Sequence, residues 1–320
     1  MKKLQKILAL ASVAAVIVTP AVRAADVGLS NFSLSGFIDM SVTDDEDGRS
    51  GGLDQFELNL GYDFGGGLTA TVDLDYEDGS TGGNNELEQA FVTYAASDSL
   101  SVKAGRFLSN SGWETAEPTG LYQYSSTGYA KYFYGGYQQG VSALVSGDTM
   151  DFALSVVNDL SNPKGSLRDE GSAYEMMVAY KPSDALIVKG SYMLDENDVK
   201  PIKMVNIWSA YSADGLTLAA EFNRSENTAA AEEISGVDAE GRLLMANYAW
   251  DVHGVTLRYH ETEVTAADGK TAAEDKAGIT LAYSHAVTNN LSVITEYRLD
   301  DNNLTDDLSD TFAIEALVTF

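Results

Sequence analysis

Seven times the chain closes a run of alternating residues with a turn and opens the next run on a large apolar residue. The restarts are Gly67-Leu68-Thr69, Ser99-Leu100-Ser101, Thr149-Met150-Asp151, Ala185-Leu186-Ile187, Gly215-Leu216-Thr217, Gly254-Val255-Thr256 and Asn290-Leu291-Ser292. They lie mostly about 30 to 40 residues apart, the length of a β-hairpin plus a longer loop, and they continue to Phe320. Period-2 alternation gives each strand two chemically distinct faces: Leu68, Ala70, Val72, Leu74 and Tyr76 on one, Thr69, Thr71, Asp73, Asp75 and Glu77 on the other. The pattern predicts an all-β chain, a transmembrane antiparallel up-and-down β-barrel with one face to lipid and one to water.

The same parity returns in Leu186, Val188, Gly190, Tyr192; in Leu216, Leu218, Ala220, Phe222; in Val255, Leu257, Tyr259; and in Leu291, Val293, Thr295, Tyr297. Each of these runs ends on an aromatic residue or reaches one before a polar loop. On the returning strands Tyr62, Tyr94, Tyr180, Tyr211, Trp250 and Tyr283 stand just before short turns, so the two sets predict aromatic girdles at both interfaces. Sixteen runs begin near Phe32, Leu53, Leu68, Leu87, Leu100, Gln138, Met150, Ala173, Leu186, Lys203, Leu216, Arg242, Val255, Ala277, Leu291 and Thr311. Two of them, from Leu87 and from Lys203, lack a clean apolar parity, and losing one hairpin would leave fourteen strands. Short connections at 65–67, 96–99, 147–149, 182–185, 214–215, 251–254 and 288–290 alternate with long polar ones at 42–52, 78–85, 109–137, 159–171, 195–201, 225–240, 265–275 and 300–310.

Lys2, Lys3 and Lys6 precede an apolar run from Ile7 to Val18, and Val22-Arg23-Ala24 offers a cleavage site, so residues 1–24 read as a secretory signal and 25–320 as one barrel domain. The apolar run is shorter than the ~20 residues of a spanning helix, and Pro20 interrupts it. There is no cysteine, which removes thiol catalysis, thiolate metal sites and disulfides together. The signal carries four of the 20 basic residues and none of the 48 acidic ones, so 20 minus 4 leaves 16 bases against 48 acids, a formal charge of −32. Such a chain is unsuited to nucleic acid.

The final run places Phe312, Ile314, Ala316, Val318 and Phe320 on one face. A terminal Phe closing an alternating apolar strand resembles the assembly signal of Gram-negative outer-membrane proteins, which implies the outer membrane as location. It also implies the barrel-assembly machinery, membrane lipids and lipopolysaccharide as partners. The longest connection contains Gly112-Trp113-Glu114-Thr115-Ala116-Glu117-Pro118, then Tyr122, Tyr124, Tyr129, Tyr132 and Tyr134. With Gly105-Arg106-Phe107 before it and Gln138-Gln139-Gly140-Val141 after it, this stretch resembles the OmpL-like β-barrel porin family. In sixteen-stranded general porins the loop after the fifth strand folds inward, so the resemblance implies a constriction lined by Trp113, Glu114, Glu117, Tyr122 and Tyr124. Read without it, the segment is equally a Tyr-rich loop packing on the rim. General porins of this size are commonly trimers, which makes a homo-oligomer an expectation of the resemblance.

A sixteen-stranded barrel is wide enough for a water-filled channel. Parity sends Asp39, Glu57, Asp73, Asp75, Glu175, Glu221, Glu296 and Glu315 inward against Lys103, Lys189, Arg258 and Arg298. The expected activity is passive diffusion of small hydrophilic solutes, with a modest preference for cations. A plugged barrel serving as an adhesin or structural surface protein, and a sugar channel using Trp113 and the tyrosines, are the alternatives. Only His253, His260 and His285 could serve as imidazole bases, and no hydrolase motif surrounds them, so no enzyme is expected. No cofactor is implied. Asp44, Asp45, Glu46 and Asp47 lack EF-hand spacing, so diffuse counterions rather than a metal site are expected there.

Overall fold

Because each strand must satisfy its backbone polar groups within lipid, the alternating runs can span only by pairing on both sides until the sheet closes. In the computed structural model, which describes residues 29–77, 84–160, 172–196, 200–231 and 234–320, they do so. The expected signal lies outside the described residues, as do parts of the long connections at 78–85, 159–171, 195–201 and 225–240. A single 3-10 turn, Leu29–Asn31, precedes sixteen strands. These are β1 (Phe32–Asp45), β2 (Gly48–Gly65), β3 (Leu68–Glu77), β4 (Asn84–Ala95), β5 (Leu100–Leu108), β6 (Tyr137–Ser146), β7 (Met150–Val157) and β8 (Ala173–Ser183). The second half comprises β9 (Leu186–Asp195), β10 (Ile202–Ala213), β11 (Leu216–Ala231), β12 (Ile234–Trp250), β13 (His253–Thr265), β14 (Ala272–Ala286), β15 (Leu291–Asn302) and β16 (Asp307–Thr319).

Every strand pairs with its sequence neighbours, and β1 closes the barrel on β16 in antiparallel register, Phe37 opposite Thr319 and Asp44 opposite Phe312. At the seam Gly36 and Phe320 exchange backbone hydrogen bonds in both directions at 3.0 Å. The short turns have the chemistry that hairpins require. Asp214 and Gly215 both adopt positive φ (51° and 81°), the twist a two-residue turn needs to join right-twisted strands.

The two faces separate as the alternation demands. On β3, Leu74 faces out at 41% exposure between Asp73 and Asp75, which face in at 4% and 5%. Tyr192, Phe222, Tyr259 and Tyr297 stand exposed toward one end of the outer face, and Tyr94, Tyr180, Tyr211, Trp250 and Tyr283 toward the other.

One sequence expectation is corrected, and the two weak parities are accounted for. The long connections are shorter than their polar composition suggests, because the strands continue beyond the alternating segment: β12 begins at Ile234 rather than near Arg242, and β16 at Asp307 rather than near Thr311. Beyond the apolar band the outer face no longer needs apolar side chains, so the alternation fades while the backbone pairing persists. Exposed cross-strand ion pairs take its place, Lys203 with Glu226 at 3.1 Å and Arg224 with Glu240 at 3.7 Å. The weak parity of β4 comes from a β-bulge: Asp73 pairs with Gln89 and Leu74 with Leu87, leaving Glu88 as the extra residue. In β10, Trp208 and Ala210 face inward but are apolar and buried, because the loop after β5 covers them, while Met204 is buried with Phe107, Val157, Leu160 and Met193.

Candidate functional site: the inward loop and the lumen wall

The connection from β5 to β6, residues 109–136, folds into the barrel. Its partners are inward side chains near mid-wall: Glu221, Arg258 and Glu296 each lie five residues past the first residue of their strands. At ~3.4 Å per residue and a tilt of about 40°, that is roughly 13 Å into an apolar band ~25 Å tall.

The loop is held first by its own backbone amides, which a segment with only two short helical turns, Pro118–Gly120 and Ala130–Phe133, must largely satisfy elsewhere. Glu175 Oε1 accepts from the Asn110 amide (2.6 Å), Asn206 Oδ1 from Gly112 (3.1 Å), Glu221 Oε1 from Trp113 (2.8 Å) and Glu296 Oε2 from Ser125 (3.0 Å). Glu221 also accepts from the hydroxyls of Tyr129 (2.7 Å) and Tyr134. Burial, followed by the neighbouring charges, pushes both phenols well above their usual range, so they stay protonated and donate.

An aromatic core forms beneath these contacts. Tyr129, Tyr132 and Phe133, around the helical turn Ala130–Phe133, pack with Trp208, Leu243 and Met245 of the wall. Gly241 makes room for this: a Cβ there would meet the Phe133 ring at 2.4 Å. Trp113 lies edge-on to Trp208 (centroids 5.3 Å apart) and is stacked with Tyr122 (6.3 Å).

Glu114, expected beside the channel, is instead buried against Arg258 at 2.6 Å and accepts twice from Thr127 at 2.8 Å. Arg258 is fully buried, donating also to the Ser125 carbonyl and to Thr280 Oγ1 (3.0 Å). Arg298 reaches the Ser126 carbonyl and pairs with Asp300 at 2.6 Å. Among the expected lining residues, Glu175, Glu221, Glu296, Arg258 and Arg298 therefore bind the loop. Parity sends a side chain inward but does not distinguish a wall facing water from a wall facing another part of the chain. Trp113 and Tyr122 are likewise engaged with the aromatic core.

The loop also touches the opposite side. Tyr124 meets Ser41 Oγ at 3.1 Å, and Glu117 accepts from Gln55 Nε2 (2.8 Å) and the Tyr137 hydroxyl (2.9 Å). Burial, with Glu57 beside it, pushes the Glu117 carboxyl up to about 8. Glu57, Glu88 and Glu117 bring carboxylate oxygens within 4.8 Å of one another, and no lysine or arginine pairs with them among the described residues. At an effective dielectric of ~20, two charges at that separation repel by roughly 3.5 kcal/mol. Asp73 and Asp75 line the same sector and accept from the amides of Asn59, Gln89 and Gln55. Of the inward bases, Lys103 lies over the Phe91 ring (4.4 Å) with Asp73 as a nearby charge, and Lys189 lies over Trp208 (5.6 Å). Asp39, Glu296 and Glu315 each retain a buried oxygen without a hydrogen-bond partner among the described residues, extending the acidic sector through β15, β16 and β1.

Glu88, Gln55 and Tyr137 are site residues that the alternation did not select. The available signal was the loss of parity in β4, which a bulge explains. A cavity of about 700 Å³ lies over the loop toward β13–β16, lined by Thr127, Tyr129, His260, Arg298 and Asp300 among others. His253 and His285 lie together near the opposite end, their Nδ1 atoms 3.3 Å apart.

Comparison with known proteins places this geometry. No curated protein sequence matches the chain. Among solved structures, OmpF of Salmonella typhi in complex with daunomycin is similar at a TM-score of 0.69 and 16% identity, over 90% of this chain and 97% of that one. An anion-selective porin from Comamonas acidovorans is similar at 0.64 and 16%, over 90% and 99%. OmpT of Vibrio cholerae, in its trimer form, is similar at 0.64 and 12%, also over 90% and 99%. The Gram-negative porin pattern matches residues 9–305, nearly the whole chain, and the chain belongs to the Gram-negative porin family.

Proposed function

We propose that the chain, exported with loss of residues 1–24, forms a narrow, non-enzymatic diffusion channel in the outer membrane for small hydrophilic solutes, with cations preferred over anions. The observation that carries this reading is the unequal use of inward charge. Arg258 and Arg298 are paired with carboxylates, and Lys103 and Lys189 lie over aromatic rings. Among the described residues, the inward carboxylates Asp39, Glu57, Asp73 and Asp75, with Glu117 of the loop, form no ion pair with a lysine or arginine. Carboxylates along a narrow path raise local cation concentration, and screening over ~8 Å at physiological salt leaves this effect strong only where the path is tight. The Comamonas porin of similar fold is described as anion-selective, so selectivity resides in side chains rather than in the barrel. A homo-oligomer belongs to the same reading, by analogy with trimeric OmpT.

The test is the reversal potential of the refolded protein in a planar bilayer under a KCl gradient. A potential favouring K⁺ is expected, and one favouring Cl⁻ refutes the selectivity. The loop is bonded to both sides of the lumen, and this favours a second reading, an occluded barrel acting at the cell surface. Absence of conductance from demonstrably folded protein would favour it.

A further inference from the structure

We propose that Glu57, Glu88 and Glu117 form a Ca²⁺ site that ties the inward loop to the β2–β4 wall. The inference deepens the channel reading, but its test does not depend on ion flow.

Three observations converge. The three residues offer oxygens that all lie within 4.8 Å of one another, and Ca²⁺ bonded at ~2.4 Å can bridge oxygens up to about that distance. Glu57 is only 3% exposed; Asn59 donates to its Oε1, while Oε2 has no hydrogen-bond partner among the described residues. A buried carboxylate oxygen left in this way calls for a proton or a cation. Glu88 reaches the lumen only because β4 carries an extra residue there, and bulges recur where a side chain must be re-aimed.

Glu117 completes the set from the loop. Tyr137 donates to one of its oxygens and Gln55 to the other, which fixes the carboxylate while leaving lone pairs free. All three ligands are hard oxygens, and neither nitrogen nor sulfur joins them, which excludes the donor sets preferred by zinc and copper. Ca²⁺ accepts an irregular set of three carboxylates completed by water. Mg²⁺ demands near-octahedral geometry at ~2.1 Å and holds its water tightly, so it fits this spacing less well.

The experiment is Tb³⁺ luminescence on the chain folded in detergent micelles, excited through tyrosine and competed with Ca²⁺. Tyr137 is the expected sensitiser, since its hydroxyl lies 2.9 Å from Glu117. A saturable signal displaced by Ca²⁺ is expected, with apparent affinity reduced at least tenfold in Glu57→Gln and in Glu88→Gln. It should be unchanged when the β1–β2 tip is neutralised by D44N, D45N, E46Q and D47N together. Folding of each variant is checked by heat-modifiable electrophoretic mobility. Glu88→Gln alone suffices if Glu57→Gln misfolds. Lack of saturable binding in the unaltered chain, unchanged affinity in a folded Glu88→Gln, or loss of the signal in the tip variant would each overturn the site. An open cation-selective channel that fails this test would retain the channel reading and lose only the Ca²⁺ site.

Discussion

Arg258→Met should release the loop without opening the barrel. Arg258 is fully buried and bonds Glu114 at 2.6 Å, the Ser125 carbonyl, Ser125 Oγ at 3.1 Å and Thr280 Oγ1 at 3.0 Å. Removing one partner of a buried ion pair leaves an uncompensated charge and costs about 3–5 kcal/mol. Glu114 keeps two bonds from Thr127 and one from Gln123, so the lower part of that range applies, roughly a 100-fold shift toward the undocked loop. The backbone ladder on both sides of β13 is untouched. Lys131 is the sole lysine or arginine in residues 109–136, which makes trypsin a reporter of undocking. Cleavage at Lys131 should accelerate about 100-fold, in proportion to the open population when reclosing outpaces cleavage. Heat-modifiable mobility should persist, and single-channel current should become larger and noisier. Adding Glu114→Gln to Arg258→Met removes the stranded charge and should restore much of the protection. Cleavage and current unchanged in Arg258→Met would refute the claim that this pair holds the loop.

Gly241→Leu should loosen the same loop by overpacking against Phe133, at about 1–3 kcal/mol, seen as faster tryptic cleavage at Lys131 with the barrel still folded. Deleting Phe320 removes both seam bonds to Gly36 and the ring that lies over it; a loss of about 2–4 kcal/mol should lower the yield of heat-modifiable folded protein. Asp73→Asn with Asp75→Asn keeps the side-chain shapes while removing two inward charges. The KCl reversal potential should move toward zero at 0.1 M salt, with a much smaller difference at 1 M, where screening acts over ~3 Å.

The fold was legible because lipid imposes a rule on every second residue. The alternation placed the starts of β3, β5, β7, β8, β9, β11 and β15 at Leu68, Leu100, Met150, Ala173, Leu186, Leu216 and Leu291, as the structure has them. Where lipid no longer applies the rule, legibility ends: β12 extends to Ile234 through a polar segment held by backbone pairing and ion pairs such as Arg224 with Glu240. The two strands with unclear parity were unclear for physical reasons. One contains the bulge at Glu88, which shifts every later residue to the other face; the other turns Trp208 and Ala210 inward beside the polar Asn206, because aromatic residues of the loop cover them. In both, an irregular pattern marked contact between the wall and the loop.

The same distinction changes how inward charge should be counted. Parity assigned eight carboxylates to the lumen as if they were equivalent. Glu175 and Glu221 receive loop amides on the β8–β11 side, and Glu296 receives one across the lumen, so much of their field is spent on orienting the loop. Asp39, Glu57 and Glu315, and Glu296 at its second oxygen, each retain a buried oxygen without a donor among the described residues, on the arc from β15 through β2. A cation passing along that arc also meets Glu117, which is bonded to the same wall through Gln55. Selectivity should therefore respond strongly to substitutions in β1–β4 and β16. Neutralising Glu175 or Glu221 should act first on loop position, so that conductance and noise change before the reversal potential does.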